Sequence, residues 1–211
     1  MLHIRSLQRL LAFAPALLLA TACVTTGDTP SPKRELPKSD WVLPSKSLTS
    51  DIETHAEALP WTHGRERVDL ITWFAMVGEP AYDTLIMNLD DERPEVVATV
   101  LAALGATMDS RLVPHLRAAE HEDWSPALKM ESARARVRLG DWEAMPALID
   151  GLESPDRFKR ALSAQALFEA TREDKGYDPS ASLPEREQAV ERWRTWWQQR
   201  SNDNMLLSRA D

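Results

Sequence analysis

Cysteine is nearly missing: Cys23 is the one thiol in 211 residues, which excludes a disulfide framework and cysteine-rich metal sites. Glycine is scarce too. Seven glycines leave little room for a phosphate-cradling loop, and neither glycine fingerprint for nucleotides occurs. No serine elbow is present, and no run of alternating β-branched residues suggests a strand. Positive charge is in deficit, with 25 Lys and Arg against 33 Asp and Glu, the wrong balance for tracking a phosphate backbone. Long hydrophobic runs are also lacking. The apolar stretch from Leu10 to Ala20 covers about eleven residues, roughly half of what a bilayer core requires.

What is present begins at that stretch. Arg5 and Arg9 precede it, and Ala20-Thr21-Ala22 closes it with small residues, the layout of a secretory signal peptide. Residues 19–23, Leu-Ala-Thr-Ala-Cys, resemble the lipobox of bacterial lipoproteins. The resemblance implies cleavage before Cys23, diacylglycerol on its sulfur and an acyl group on its new amino terminus. Two or more chains make a stable anchor where one is marginal. Val24 follows instead of the aspartate that favours inner-membrane retention in that family, so the expected location is the outer membrane, facing the periplasm. Removing residues 1–22 takes away two arginines and no acid, leaving 23 basic against 33 acidic residues. Residues 24–50 are rich in Thr, Ser, Pro and Lys without a helical period. They are expected to form a flexible tether behind the lipidated Cys23, with Trp41-Val42-Leu43 as one segment able to dock on the domain that follows.

Residues 51–200 are long enough for one domain with a core, and alanine, leucine and glutamate at helical spacing make it all-α. Segments 79–107, 109–140 and 141–171 align, each as two helices. Proline recurs in the first helix at 80, 114 and 146, and Arg93-Pro94, Ser125-Pro126 and Ser154-Pro155 open the second. Proline suits a first helical turn, where its missing N–H has no intrahelical partner anyway. The predicted inner faces are Val96, Val100, Leu101 and Leu104 in the first unit and Phe158, Leu162, Ala166 and Leu167 in the third. Residues 64–78 add a helix presenting Val68, Ile71, Trp73, Phe74 and Val77, and Ser50 with Glu53 caps a short one before it. Leu183, Ala189, Val190, Trp193, Trp196 and Trp197 form the inner face of a C-terminal helix opened by Ser182 and Glu185. Residues 201–211 show no pattern and are expected to fray.

The run Met-Pro-Ala-Leu-Ile-Asp-Gly-Leu at 145–152, with Ser-Pro-Asp at 154–156 and Ala-Leu-Gly at 103–105, resembles HEAT repeats. That likeness implies a short α-solenoid of about three to four helix pairs with a C-terminal capping helix, used for protein–protein contact and not for catalysis. The family often carries an arginine early in the second helix; Arg160 holds that place, while Val97 and Ser132 stand there in the other units.

Candidate chemistry is thin. His115 and His121 sit six apart, about 600° around a helix and so on separated faces; His55 and His63 flank a proline-containing turn. Neither pair suggests a metal, and no cofactor is called for. Two features suit a partner. Arg134 and Arg138 are four apart on one side of a helix, where they either meet an acidic protein or form a solvated flank with Glu131. Trp196 and Trp197 crowd one helix with Trp193, which leaves one of them as a candidate interface anchor. The expected function is a non-enzymatic, lipid-anchored scaffold for an envelope or periplasmic protein, without nucleic acid as ligand. The alternative is an enzyme or ligand carrier on a helical-repeat fold.

Overall fold

The computed structural model describes residues 39–207. Among these the chain is all-α: α1 (Lys46–Ala58), α2 (Gly64–Val77), α3 (Tyr82–Met87), α4 (Pro94–Ala106), α5 (Val113–Ala119), α6 (Pro126–Arg138), α7 (Met145–Gly151), α8 (Arg157–Thr171) and α9 (Leu183–Leu207). Short 3-10 turns at 79–81, 110–112 and 142–144 lead into α3, α5 and α7. Residues 1–38, including the expected signal peptide and Cys23, lie outside the described residues, as do residues 208–211.

The longer helices pack in chain order, α2 on α4, α4 on α6 and α6 on α8. Helix α1 lies against α3, and α7 touches α6, α8 and α9. The buried side chains fall into two cores. One gathers residues of α1 to α6 around Phe74, Leu85, Val100, Leu101 and Leu116; the other gathers Met145, Leu148, Leu167 and Trp193 from the C-terminal half. Helix α6 serves both, giving Leu128, Ala135 and Leu139 to the first and Met130, Ala133 and Val137 to the second. Two of its faces are covered, so small and apolar residues occupy two stripes instead of one, with Lys129, Glu131, Arg134, Arg136 and Arg138 between them.

Each long helix from α2 to α8 is followed within two residues by one with positive φ. Gly78, Met108, Gly140 and Arg172 have φ of 67°, 57°, 90° and 62°, and they stand 30, 32 and 32 residues apart. An acid follows each one: Glu79, Asp109, Asp141 and Glu173. This is the repeat in its backbone form, and it corrects the proline register. Pro80 lies two residues past its left-handed helix end, inside a 3-10 turn, whereas Pro114 and Pro146 lie six past theirs, in the first turn of α5 and α7. The spacing of 34 between Pro80 and Pro114 is therefore not the repeat length.

Other expectations shift along the chain by up to about two turns. Helix α1 starts at Lys46, with the Ser45 hydroxyl accepting from Leu48 N–H at 3.3 Å, so Ser50 lies inside the helix and does not cap it. The assigned tether thus ends in folded structure. Trp41 docks, edge-on to Tyr82 at 5.0 Å between ring centroids, while Val42 and Leu43 stay exposed. Helix α8 starts at Arg157, because Asp156 and not Ser154 caps it, accepting from Phe158 N–H at 2.8 Å. That turns Phe158 outward and leaves it 69% exposed, while Ala166 and Leu167 are buried as expected. Val68 is exposed on the side of α2 away from buried Leu70 and Phe74, and Leu183 is exposed at the first position of α9. The tail expected to fray from 201 continues α9 to Leu207, since no glycine or proline interrupts it. The Ser182 amide and hydroxyl both donate to Glu185 Oε2, at 3.0 and 2.7 Å, at the start of that helix.

Helices α4 and α6 meet almost backbone to backbone. A Cβ placed on Gly105 would come within 2.8 Å of Ala135 Cα. In an exposed helix, Gly→Ala would stabilise by up to about 1 kcal/mol. Here the added methyl forces the two helices apart, which costs roughly 1–3 kcal/mol, so the packing penalty wins. Gly105→Ala is expected to lower the urea midpoint, and a raised midpoint would show that α4 and α6 are not so closely apposed.

Candidate partner-binding surface

Two of the acids behind the left-handed helix ends, Asp109 and Asp141, are bound by a group from the preceding unit. Tyr82 Oη donates to Asp109 at 3.3 Å. Arg117 donates to both oxygens of Asp141, at 2.9 and 2.6 Å, and Arg136 Nε adds a third bond at 2.8 Å. Asp141 also accepts from the Glu143 amide in its own turn. The polar chain continues from Arg136 to Glu120 at 3.2 Å, and Ser132 donates to the same carboxylate at 3.0 Å. The first unit has a matching set, with Arg111 joining Asp109 to Glu79.

Asp141 is the most deeply held of these acids, its side chain only 2% exposed. The Arg117 hydrogen bonds, followed by those from Arg136, hold its pKa down at about 2 against the usual 3.8, with burial opposing them. Two arginines on one buried carboxylate outweigh its desolvation. The same pairing with Asp141 raises the Arg117 guanidinium above its ordinary range.

Asp141 fixes the residue after it. Trp142 is half-buried, with Arg200 4.8 Å from its ring centroid and Trp196 at 6.3 Å. Trp196 is flanked by two cations, Arg200 at 5.8 Å and Lys175 at 5.4 Å. Trp193 meets Trp196 edge-on at 5.5 Å and is buried, which anchors α9 to the second core. Cation–π contacts at exposed sites of this kind contribute about 0.5–1 kcal/mol each.

Two grooves flank Trp142. One, of about 670 Å³, runs between α5, the Gly140–Glu143 turn and α9, with Arg117, Glu143, Trp197 and Ser201 on its walls. The other, of about 440 Å³, is lined by Met108, Arg138, Gly140, Glu169 and Arg172. The arrangement offers aromatic faces, guanidinium groups and apolar walls side by side, which suits recognition of an extended chain.

Of the four expected partner-binding residues, the fold brings three together. Trp197 lines the larger groove, Trp196 lies between the cations, and Arg138 lines the smaller groove. Arg134 is elsewhere. It is bonded to Glu131 at 2.9 Å, with both side chains 21% exposed, and its buried Nε has no acceptor among the described residues. It therefore takes the flank role with Glu131. The histidines do not gather: His55 stacks on Trp73 at 3.7 Å, and His115 lies 5.5 Å from Trp41. Among the described residues no three His, Cys, Asp or Glu side chains are placed to hold a metal. Trp142, Arg117, Asp141, Arg172 and Arg200 were missed from sequence. The available signal was the acid recurring at 79, 109, 141 and 173.

Asp141 has a folded pKa below its unfolded value, so its contribution is present above pH 4 and is lost as pH falls toward 2. Asp141→Asn is expected to cost about 2 kcal/mol at pH 7. In urea unfolding the gap between variant and parent should shrink steadily from pH 4 to pH 2; a gap independent of pH would remove the charge-based account. No protein-family model matches the chain, and no curated protein is similar to it at a significant level.

Proposed function

We propose that this chain is a lipid-anchored, non-enzymatic scaffold that holds another protein of the cell envelope on a short HEAT-like solenoid. The solenoid reading is supported by α2, α4, α6 and α8 packing in chain order and by their helix ends recurring at 30, 32 and 32 residues. Helix α9 then serves as the cap, with Ala189, Val190 and Trp193 turned into the last core. The anchor rests on the lipobox-like sequence ending at Cys23, and with it the assignment to the outer membrane facing the periplasm.

The observation that carries the scaffold reading is the surface around Trp142. Half-buried tryptophans beside arginines are the side chains most enriched where a few contacts supply most of the binding energy. Trp142 follows the buried Asp141 carboxylate, and Trp196 and Trp197 stand on α9. An enzyme or carrier has no comparable support in the geometry described above.

Photo-crosslinking from Trp197 in intact cells is expected to capture one reproducible envelope protein. Trp197→Ala should weaken binding of that protein by about tenfold or more, the scale of a hot-spot truncation, at a temperature where the variant is still folded. Absence of any reproducible adduct would sink the scaffold. Cys23→Ser is expected to abolish incorporation of radiolabelled palmitate, and unchanged labelling would remove the anchor.

A further inference from the structure

Most described arginines are committed to an acceptor, as Arg93, Arg117 and Arg136 are to carboxylates and Arg160 is to the carbonyls of Ser154, Pro155 and Pro179. Arg138 and Arg172 are different. Both are exposed, and both line the groove on the α8 side of Trp142. Arg200 adds a third guanidinium against the same indole. The one carboxylate lining that groove, Glu169, accepts from Gln165 at 2.8 Å. A local excess of positive charge therefore stands in a protein whose formal net charge is −8.

The backbone of this groove adds a second observation. Met108, Gly140 and Arg172 are equivalent helix ends with φ of 57°, 90° and 62°, and all three line it. Glycine occupies such a position without strain, whereas other residues are strained there. Two of the three positions nevertheless carry long side chains, and Met108 is 69% exposed. The chain accepts backbone strain at 108 and 172 to present a thioether and a guanidinium to solvent.

Resting on the scaffold reading above, we propose that the groove of Met108, Arg138 and Arg172, with Trp142 and Arg200 at its edge, docks an acidic segment of the partner that also carries apolar residues. Arginine forks pair with Asp and Glu carboxylates in two-pronged fashion. Val137, Ala170 and Met108 give the apolar side chains of such a segment a wall to lie on. A membrane surface fits less well, because these guanidinium groups border a concave site and Arg200 lies against indole rings.

The test uses the full-length chain in detergent and a fluorescein-labelled peptide of repeated Asp-Glu-Leu-Phe, followed by anisotropy. Binding is expected to weaken as salt rises. The Arg138→Glu/Arg172→Glu chain should bind at least about tenfold more weakly, while Arg65→Glu/Arg157→Glu, exposed arginines distant in sequence from the groove, should bind as the parent does. Arg172→Gly is the sharper variant: it relieves the strained backbone, so its thermal midpoint should hold or rise while peptide affinity falls. Unaltered affinity in the double reversal overturns the site. Arginine-dependent binding to phosphatidylglycerol vesicles without peptide binding also overturns it, in favour of a lipid surface. If the double-reversal chain still crosslinks the envelope protein captured by the parent, the scaffold stands and this groove fails. If neither chain captures a protein, the scaffold fails and the peptide titration alone judges the groove.

Discussion

Helices of six or seven residues do not hold together alone in water, because nucleation costs more than so few hydrogen bonds return. Helices α3, α5 and α7 are of that length, and each persists only between longer neighbours. That dependence governs the whole molecule. It explains why the long helices pack in chain order, why Tyr82, Leu85, Leu116 and Leu148 are almost wholly removed from water, and why the links between units cannot be loose. Apolar burial supplies the attraction, at roughly 25 cal/mol for each Å², but it does not fix the register of one unit on the next.

Register comes from polar contacts at the helix ends. Tyr82 reaches forward to Asp109 and Arg117 to Asp141. The Arg111 pairs are half-exposed and contribute little to stability. The Asp141 cluster is different, since its carboxylate is buried and three side-chain donors meet it. Replacing Asp141 takes the shared acceptor from both arginines and leaves Arg136 to Glu120 and Arg117 to Glu143 alone. The same cluster sets the position of Trp142, so one arrangement orders the helix pairs and aims the half-buried indole.

The helical class and much of the core could be read from residue spacing. Val96, Val100, Leu101 and Leu104 are buried together as their period demanded, and Ala189, Val190 and Trp193 face inward on α9. Prolines misled at two places. Pro80 belongs to a 3-10 turn, and Pro155 precedes a helix that Asp156 caps. Each shift was small along the chain yet enough to turn Phe158 to solvent. The proposed binding surface was harder to foresee. Its members come from α4–α5, α6–α7, α8 and α9, and only the left-handed ends at 108, 140 and 172 bring them to one groove. Met108 and Arg172 hid that pattern because they stand where glycine is the customary signal. Arg134 and Arg138, paired by spacing, were separated by Glu131, which claims the first of them.

Helix α6 is the only described helix that contributes buried residues to both cores. The C-terminal half can detach by withdrawing from Met130, Ala133 and Val137, while Leu128, Ala135 and Leu139 keep their partners on α4. Apolar coupling between the two cores thus runs through this thirteen-residue rod, with the Arg117–Asp141 bonds as a polar link beside it. An excursion that opens α7 to α9 would have to break both. A partner seated beside Trp142, which touches elements of both halves, would act as a clasp on that excursion, so occupancy and rigidity would rise together.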